Sequence, residues 1–147
     1  MRLIPLSELK WQLVLLLALV TISPAVYAYV QGYWALLLVP TGQLFGVDGR
    51  LQWAIVMIVM NLAGATIVAT VLALPLGYFT KERAAVFGGT LSLGPLVFML
   101  WLVLEDGWNA PSYLGIVRVM EYMSIVIAFV ALARVGSHFR TAHEKVA

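Results

Sequence analysis

Apolar residues run along most of this chain in long stretches that charged side chains interrupt at only a few places. Residues 11–47, 51–80 and 84–104 contain no Asp, Glu, Lys or Arg. A helix of about 20 apolar residues crosses the hydrocarbon core of a bilayer, which is about 30 Å thick. Each stretch is therefore long enough to cross, and the pattern predicts membrane-spanning helices along the chain.

The first stretch is too long for one span and too short for two spans joined by a turn. Pro24 and the pair Gln31-Gly32 interrupt it, and a proline removes one backbone hydrogen bond from a helix. We predict a first span over about 11–30, bent near the proline. The apolar segment 33–39 is too short to cross and is predicted to be interfacial or re-entrant.

The second and third spans are predicted over about 52–79 and 84–104, and the fourth is harder to place. Only the twelve residues 122–133 are free of charge before the next arginine, and they make about 18 Å of helix. The fourth span must therefore start near residue 114. It is predicted over 114–133 and contains Arg118 and Glu121.

Seven of the nine Lys and Arg residues fall on one side of these four spans. The seven are Arg2, Lys10, Lys81, Arg83, Arg134, Arg140 and Lys145. Cytoplasmic loops carry an excess of positive residues, so both termini and a tail over 134–147 are predicted to be cytoplasmic. The predicted fold is an all-α integral membrane protein, a four-transmembrane-helix bundle with an interfacial or re-entrant segment after helix 1.

Composition agrees with a lipid environment. The chain is 63% hydrophobic and 11% charged, whereas soluble domains average about 25% charged residues. We predict one membrane domain over 1–147, most consistent with a bacterial inner (cytoplasmic) membrane. The net charge of +2 is spread thinly along the chain, so no nucleic-acid partner is expected.

The start of the chain also resembles a secretory signal peptide. It has a charged head, the apolar core LVLLLALV and a V-x-A pattern that ends at Ala28, as cleavable signals do. Cleavage there would leave three spans. Four uncut spans are the interpretation that we favour.

Small residues recur every four positions along the second span. The stripe consists of Asn61, Ala65, Ala69, Ala73 and Gly77, and the third span offers Gly88, Gly89, Ser92 and Gly94. Residues four apart share one face of a helix, and small side chains let helix backbones approach closely in lipid. We predict that spans 2 and 3 pack along these residues. A narrow polar path lined by Asn61, Thr66 and Thr70 is the alternative.

Arg118 and Glu121 are the unusual residues of the fourth span. Each costs about 2.5–3.5 kcal/mol near the centre of a spanning helix. At spacing i, i+3 they share a face and can form an ion pair, and Ser124 extends that face. Arg118 could instead reach Glu105 or Asp106, the outer-side counter-charges after the third span. The residues fit a structural clamp, a docking face for another membrane protein, or a proton- or ion-coupled carboxylate.

No catalytic set, cofactor motif or metal-ligand spacing is visible, and cysteine is absent. We therefore predict no enzymatic activity, no cofactor and no metal. We expect a polytopic membrane protein that acts through helix–helix contacts, as an accessory subunit or an inhibitor- or immunity-type binder of another membrane protein. The alternative is a small oligomeric ion- or proton-coupled channel or transporter that uses Glu121 and Arg118. The expected partners are the lipid bilayer and a second membrane protein or copy of this chain.

Overall fold

The chain is helical throughout the part that the structure, a computed structural model, describes, which is residues 6–44, 49–105 and 112–146. The helices are α1 (Leu6–Leu44), α2 (Arg50–Thr80), α3 (Ala84–Glu105) and α4 (Ser112–Val146), with one 3₁₀ turn over Lys81–Arg83. Each of the four α-helices is long and apolar enough to span a membrane. The predicted all-helical architecture with four such helices is confirmed.

Two helices extend beyond the predicted spans. α1 continues without interruption through 33–39 to Leu44, so this segment is helical, and its interfacial or re-entrant position stays a prediction. Its 39 residues correspond to about 58 Å of helix. α4 likewise continues through 134–146, which the sequence presented as a polar tail. Hydropathy separates lipid-facing residues from polar ones, and it does not show where a helix ends.

The helices form a bundle in which α2 and α4 make the most extensive contact. α3 packs mainly on α4, while α1 packs on α3 and α2 and has the least buried candidate span. α2 and α3 are in contact as well, but this is the least extensive of the contacts between the described α-helices, so the predicted packing of spans 2 and 3 is not the main contact of α2. We call the end of the bundle with the two chain termini and the α2–α3 turn the terminal end, and the opposite end the connection end.

The small residues of α2 do lie in a helix interface, and their partner is α4. Ala65, Ala69 and Ala73 are fully buried. A Cβ added to Gly77 would collide with the backbone of Ala133, and one added to Gly136 would collide with the carbonyl of Leu74. The two helices therefore approach each other at glycines contributed by both.

The small residues of α3 are divided between two neighbours. Gly88 faces α4, where an added Cβ would meet the Phe129 carbonyl oxygen at 2.7 Å, and Gly94 faces Ser23 of α1. Gly89 is half-buried and an added Cβ would make only an ordinary contact with α4. Six residues along a helix correspond to about 240°, so Gly88 and Gly94 belong to different faces. The predicted single packing face on α3 is wrong for this reason.

We predict that Gly136→Ala lowers the free energy of unfolding by about 1–3 kcal/mol, because overpacking forces the two backbones apart. The matched control is Gly32→Ala, where nothing lies within 4 Å of the added Cβ. This control should be neutral or stabilising by about 1 kcal/mol, since alanine favours helix. Unfolding in detergent micelles, followed by circular dichroism, measures both. Equal effects of the two substitutions would contradict the close approach of α2 and α4.

Candidate functional site

A hydrogen bond between α2 and α4 joins two polar residues that the sequence presented separately. The Asn61 amide donates from Nδ2 to Oε1 of Glu121 over 2.6 Å. Glu121 is only 4% exposed, so its carboxyl group depends on protein partners. Asn61 begins the small-residue stripe of α2, and because that stripe faces α4 its amide is directed at the carboxyl group.

Ser124 lies on the same buried face of α4, one turn after Glu121. Its hydroxyl donates to the Glu121 backbone carbonyl over 2.7 Å. Such local bonds satisfy a hydroxyl group within its own helix. Ser124 therefore extends the polar face, as the sequence indicated, without binding the Glu121 carboxyl group.

Arg118 is half-buried and lies within electrostatic range of Glu121. Among the residues that the structure describes, the ion pairs are those of Glu144 with Lys81 and Arg140, so Arg118 and Glu121 form none. The proposed outer counter-charges do not decide the matter, because the Glu105 side chain and Asp106 lie outside the described part of the chain. Glu121 is thus hydrogen-bonded to the neutral amide of Asn61, and Arg118 acts on it only through its charge, without an ion pair.

α1 contributes two more buried polar groups, Tyr27 and Gln31, and the sequence analysis did not identify either as a site residue. Tyr27 is fully buried, next to Gln31 and within electrostatic range of Glu121. Its ring packs edge-on to Phe98 at 6.4 Å. Neither the Tyr27 hydroxyl nor the Gln31 amide nitrogen has a hydrogen-bond partner among the described groups. Their i, i+4 spacing on one helix face was the signal in the sequence.

We call Tyr27, Gln31, Asn61 and Glu121 the central polar cluster. Arg134, the next charged residue toward the terminal end, lies thirteen positions after Glu121, which is about 20 Å of helix. In the other direction Arg118 is less than one turn away. The cluster therefore lies in the half of the bundle nearer the connection end, with a long apolar section of α4 between it and the terminal end.

The polar path suggested along α2 is not formed within one chain. Thr66 and Thr70 are exposed, and each donates over 2.7 Å to a carbonyl of its own helix. Five residues along a helix turn it by about 140°, so Thr66 lies away from the face that carries Asn61. The prediction of a shared path through Asn61 and the two threonines is wrong for a single chain.

Comparison of the chain with protein-family models, curated proteins and solved structures returns no match. Within the described residues, no three His, Asp or Glu side chains are grouped as a metal site requires. The fold defines an all-helical protein with four helices able to span a membrane. The chemistry of the site is thus that of one buried carboxyl group, one amide bonded to it and two nearby donors without acceptors.

We predict that the bond between Asn61 and Glu121 stabilises the fold by about 1–2 kcal/mol, since bonds between membrane helices reach about 1.7 kcal/mol. A double-mutant cycle of Asn61→Leu and Glu121→Met, each of which removes one partner of the bond, isolates this coupling, measured as the free energy of unfolding in micelles. Thr66→Val is the control, because its hydroxyl serves only its own helix. Additive effects of the two cluster substitutions would show that the bond contributes nothing.

Proposed function

We infer that the chain is a small membrane protein that binds and releases a proton at Glu121, as a proton-coupled channel or transporter. The observation that carries the inference is the bond from Asn61 to a buried carboxyl group; α1 adds two buried donors that lack acceptors, Tyr27 and Gln31. Ionisable residues within membrane spans mark proton and ion pathways. Of the two functions that the sequence suggested, this is the alternative to an accessory or binding role.

The neutral partner of Glu121 suits a group that changes its protonation state. An arginine would hold the acid permanently ionised, whereas an amide Nδ2 can donate to a carboxylate oxygen or to the carbonyl oxygen of a protonated acid. When the proton leaves, the ionised carboxylate can accept further bonds. The Tyr27 hydroxyl and the Gln31 amide are available to supply them, because neither has a described acceptor.

The position of the cluster supports proton exchange from one side. Less than one helical turn leads from Glu121 to the half-buried Arg118, while about 20 Å of apolar helix leads to Arg134. A proton therefore has a short route toward the connection end and a long one toward the terminal end. Transport across the whole bundle needs either a change of helix packing or a second copy of the chain.

The geometry supports the docking hypothesis less well than the sequence did. The small-residue stripe of α2 is covered by α4, and Glu121 is bonded within the chain. Both features had favoured contact with another membrane protein. Arg118 alone still favours it, since it is half-buried and has no described acidic partner. An accessory or binding role, with a partner carboxylate on Arg118, is the second candidate.

We further propose that the terminal end faces the cytoplasm, with the bacterial inner membrane as the location. The positive-inside rule supports this orientation. One feature of the bundle is consistent with this orientation. Gln12 of α1 and Arg140 of α4 both donate hydrogen bonds to the Phe79 carbonyl near the end of α2. The lysines and arginines near these residues are thereby gathered at one end.

We expect Glu121→Gln to lower proton flux into proteoliposomes by at least about tenfold, because the amide cannot exchange a proton. A pH-sensitive dye inside the vesicles measures the flux. The matched control is Glu144→Gln, which removes an exposed carboxylate at the terminal end and should leave flux unchanged. Flux that is absent in the native protein, or unaffected by Glu121→Gln, contradicts the proposal.

The second candidate predicts a different result. Arg118→Gln should release a co-purifying membrane protein in mild detergent, because the counter-charge of its carboxylate is lost. Arg134→Gln, an exposed arginine on the same helix, is the control. Retention of the partner by both variants, or purification of the native chain alone, contradicts the docking role.

A further inference from the structure

A cavity of about 410 Å³ opens at the terminal end, between the start of α1 and the ends of α2 and α4. This is within the size range of small-molecule sites, about 300–1,000 Å³. Trp11, Tyr78 and Phe79 line it with aromatic surface, and Gln12, Arg140 and Glu144 supply polar groups beside His143. The cavity is far from the central polar cluster and plays no part in the proposed function.

Charged groups in and beside the cavity leave an excess of positive charge: Arg140 and Glu144 line it, and Lys81 contacts Glu144 from outside the lining. Lys81 Nζ lies 2.7 Å from Glu144 Oε1, and Arg140 Nε lies 3.0 Å from the same oxygen. Two cations thus share one carboxylate. A phosphate group at the rim would balance them and accept hydrogen bonds from the guanidinium and ammonium groups.

The inner part of the cavity, in contrast, favours a positively charged group of a ligand. Gln12 is 6% exposed, and its side-chain oxygen has no donor among the described groups. Its amide nitrogen donates to the Phe79 carbonyl at 3.3 Å, which fixes the orientation of the side-chain amide. Three aromatic rings line the same cavity; the Arg140 guanidinium lies over the Tyr78 ring at 5.9 Å, so Trp11 and Phe79 are the rings left for a ligand. Aromatic faces attract ammonium groups, and an ammonium N–H is the donor that the Gln12 oxygen lacks.

We propose that this cavity binds the headgroup of phosphatidylethanolamine, with its phosphate at Arg140 and Lys81 and its ammonium group against Gln12 and the aromatic rings. The ligand carries a phosphate and an ammonium group joined by two carbons, so one molecule can offer both charges to the cavity. The cavity lies at the end of the candidate spans, where headgroups are found. Trp11 and Phe79 are nearly half exposed and offer apolar surface to the glycerol and the start of the acyl chains.

Lipid competition tests the proposal without altering the protein. Native mass spectrometry of the full chain from mixed micelles compares phosphatidylethanolamine, its N,N-dimethyl form, phosphatidylcholine and phosphatidylglycerol with matched acyl chains. Retention should fall from the first to the third as N–H donors are removed, by about tenfold in total. Equal retention of phosphatidylethanolamine and phosphatidylcholine, or preference for phosphatidylglycerol, overturns the proposal.

Two further arms identify the groups and the source of the ligand. Arg140→Gln should lower retention of phosphatidylethanolamine about tenfold, while Arg134→Gln, an exposed arginine that does not line the cavity, should not. Gln12→Leu should reduce the preference for phosphatidylethanolamine over phosphatidylcholine without reducing phosphatidylcholine binding. Soluble phosphoethanolamine should compete poorly; competition as strong as that of the lipid would make the ligand a soluble one and overturn the lipid assignment.

Discussion

A carboxyl group carried into hydrocarbon must be hydrogen-bonded by protein, because lipid chains offer it nothing. In this chain the bond from Asn61 to Glu121 meets that requirement, and it joins positions 60 residues apart. Gly136 touches the backbone of Leu74 and Tyr78, positions separated from it by nearly the same interval. The polar bond and the glycine contact therefore describe one register, in which α2 and α4 run parallel.

The sequence predicted the helices well and their pairing poorly, for a physical reason. Hydropathy reports the solvent of a segment, so four spanning helices follow from it directly. A four-residue repeat such as Ala65, Ala69 and Ala73 shows which face of α2 is packed, and it carries no information about the partner. The same limit applies to the site. Asn61 and Glu121 were each identified, but no spacing within one helix can indicate a bond between two. Tyr27 was missed because its ring resembles any apolar residue of a span.

The terminal end is held by polar contacts that explain why α4 continues past its apolar section. The last carbonyl groups of a helix lack intrahelical donors and carry partial negative charge. Arg140 donates to the Tyr78 and Phe79 carbonyls of α2 over 3.3 and 3.4 Å. The turn that follows places Lys81 at φ 47°, a left-handed conformation that is unfavourable for a residue with a Cβ. The ion pair of Lys81 with Glu144 ties this turn to the end of α4.

One feature of the central polar cluster bears on function. A structural clamp is complete when each of its buried groups has a partner, and unsatisfied buried groups are few in native proteins. Glu121, Asn61 and Ser124 alone would satisfy that description. Tyr27 does not, because its fully buried hydroxyl lies next to Gln31, within electrostatic range of Glu121, and makes no hydrogen bond of ordinary length and angle to a described group. A donor within electrostatic range of a carboxyl group is unused while the acid is satisfied by Asn61, and it can stabilise the carboxylate when the acid ionises. The orphan hydroxyl, more than the bond itself, therefore favours a proton-binding site over a clamp.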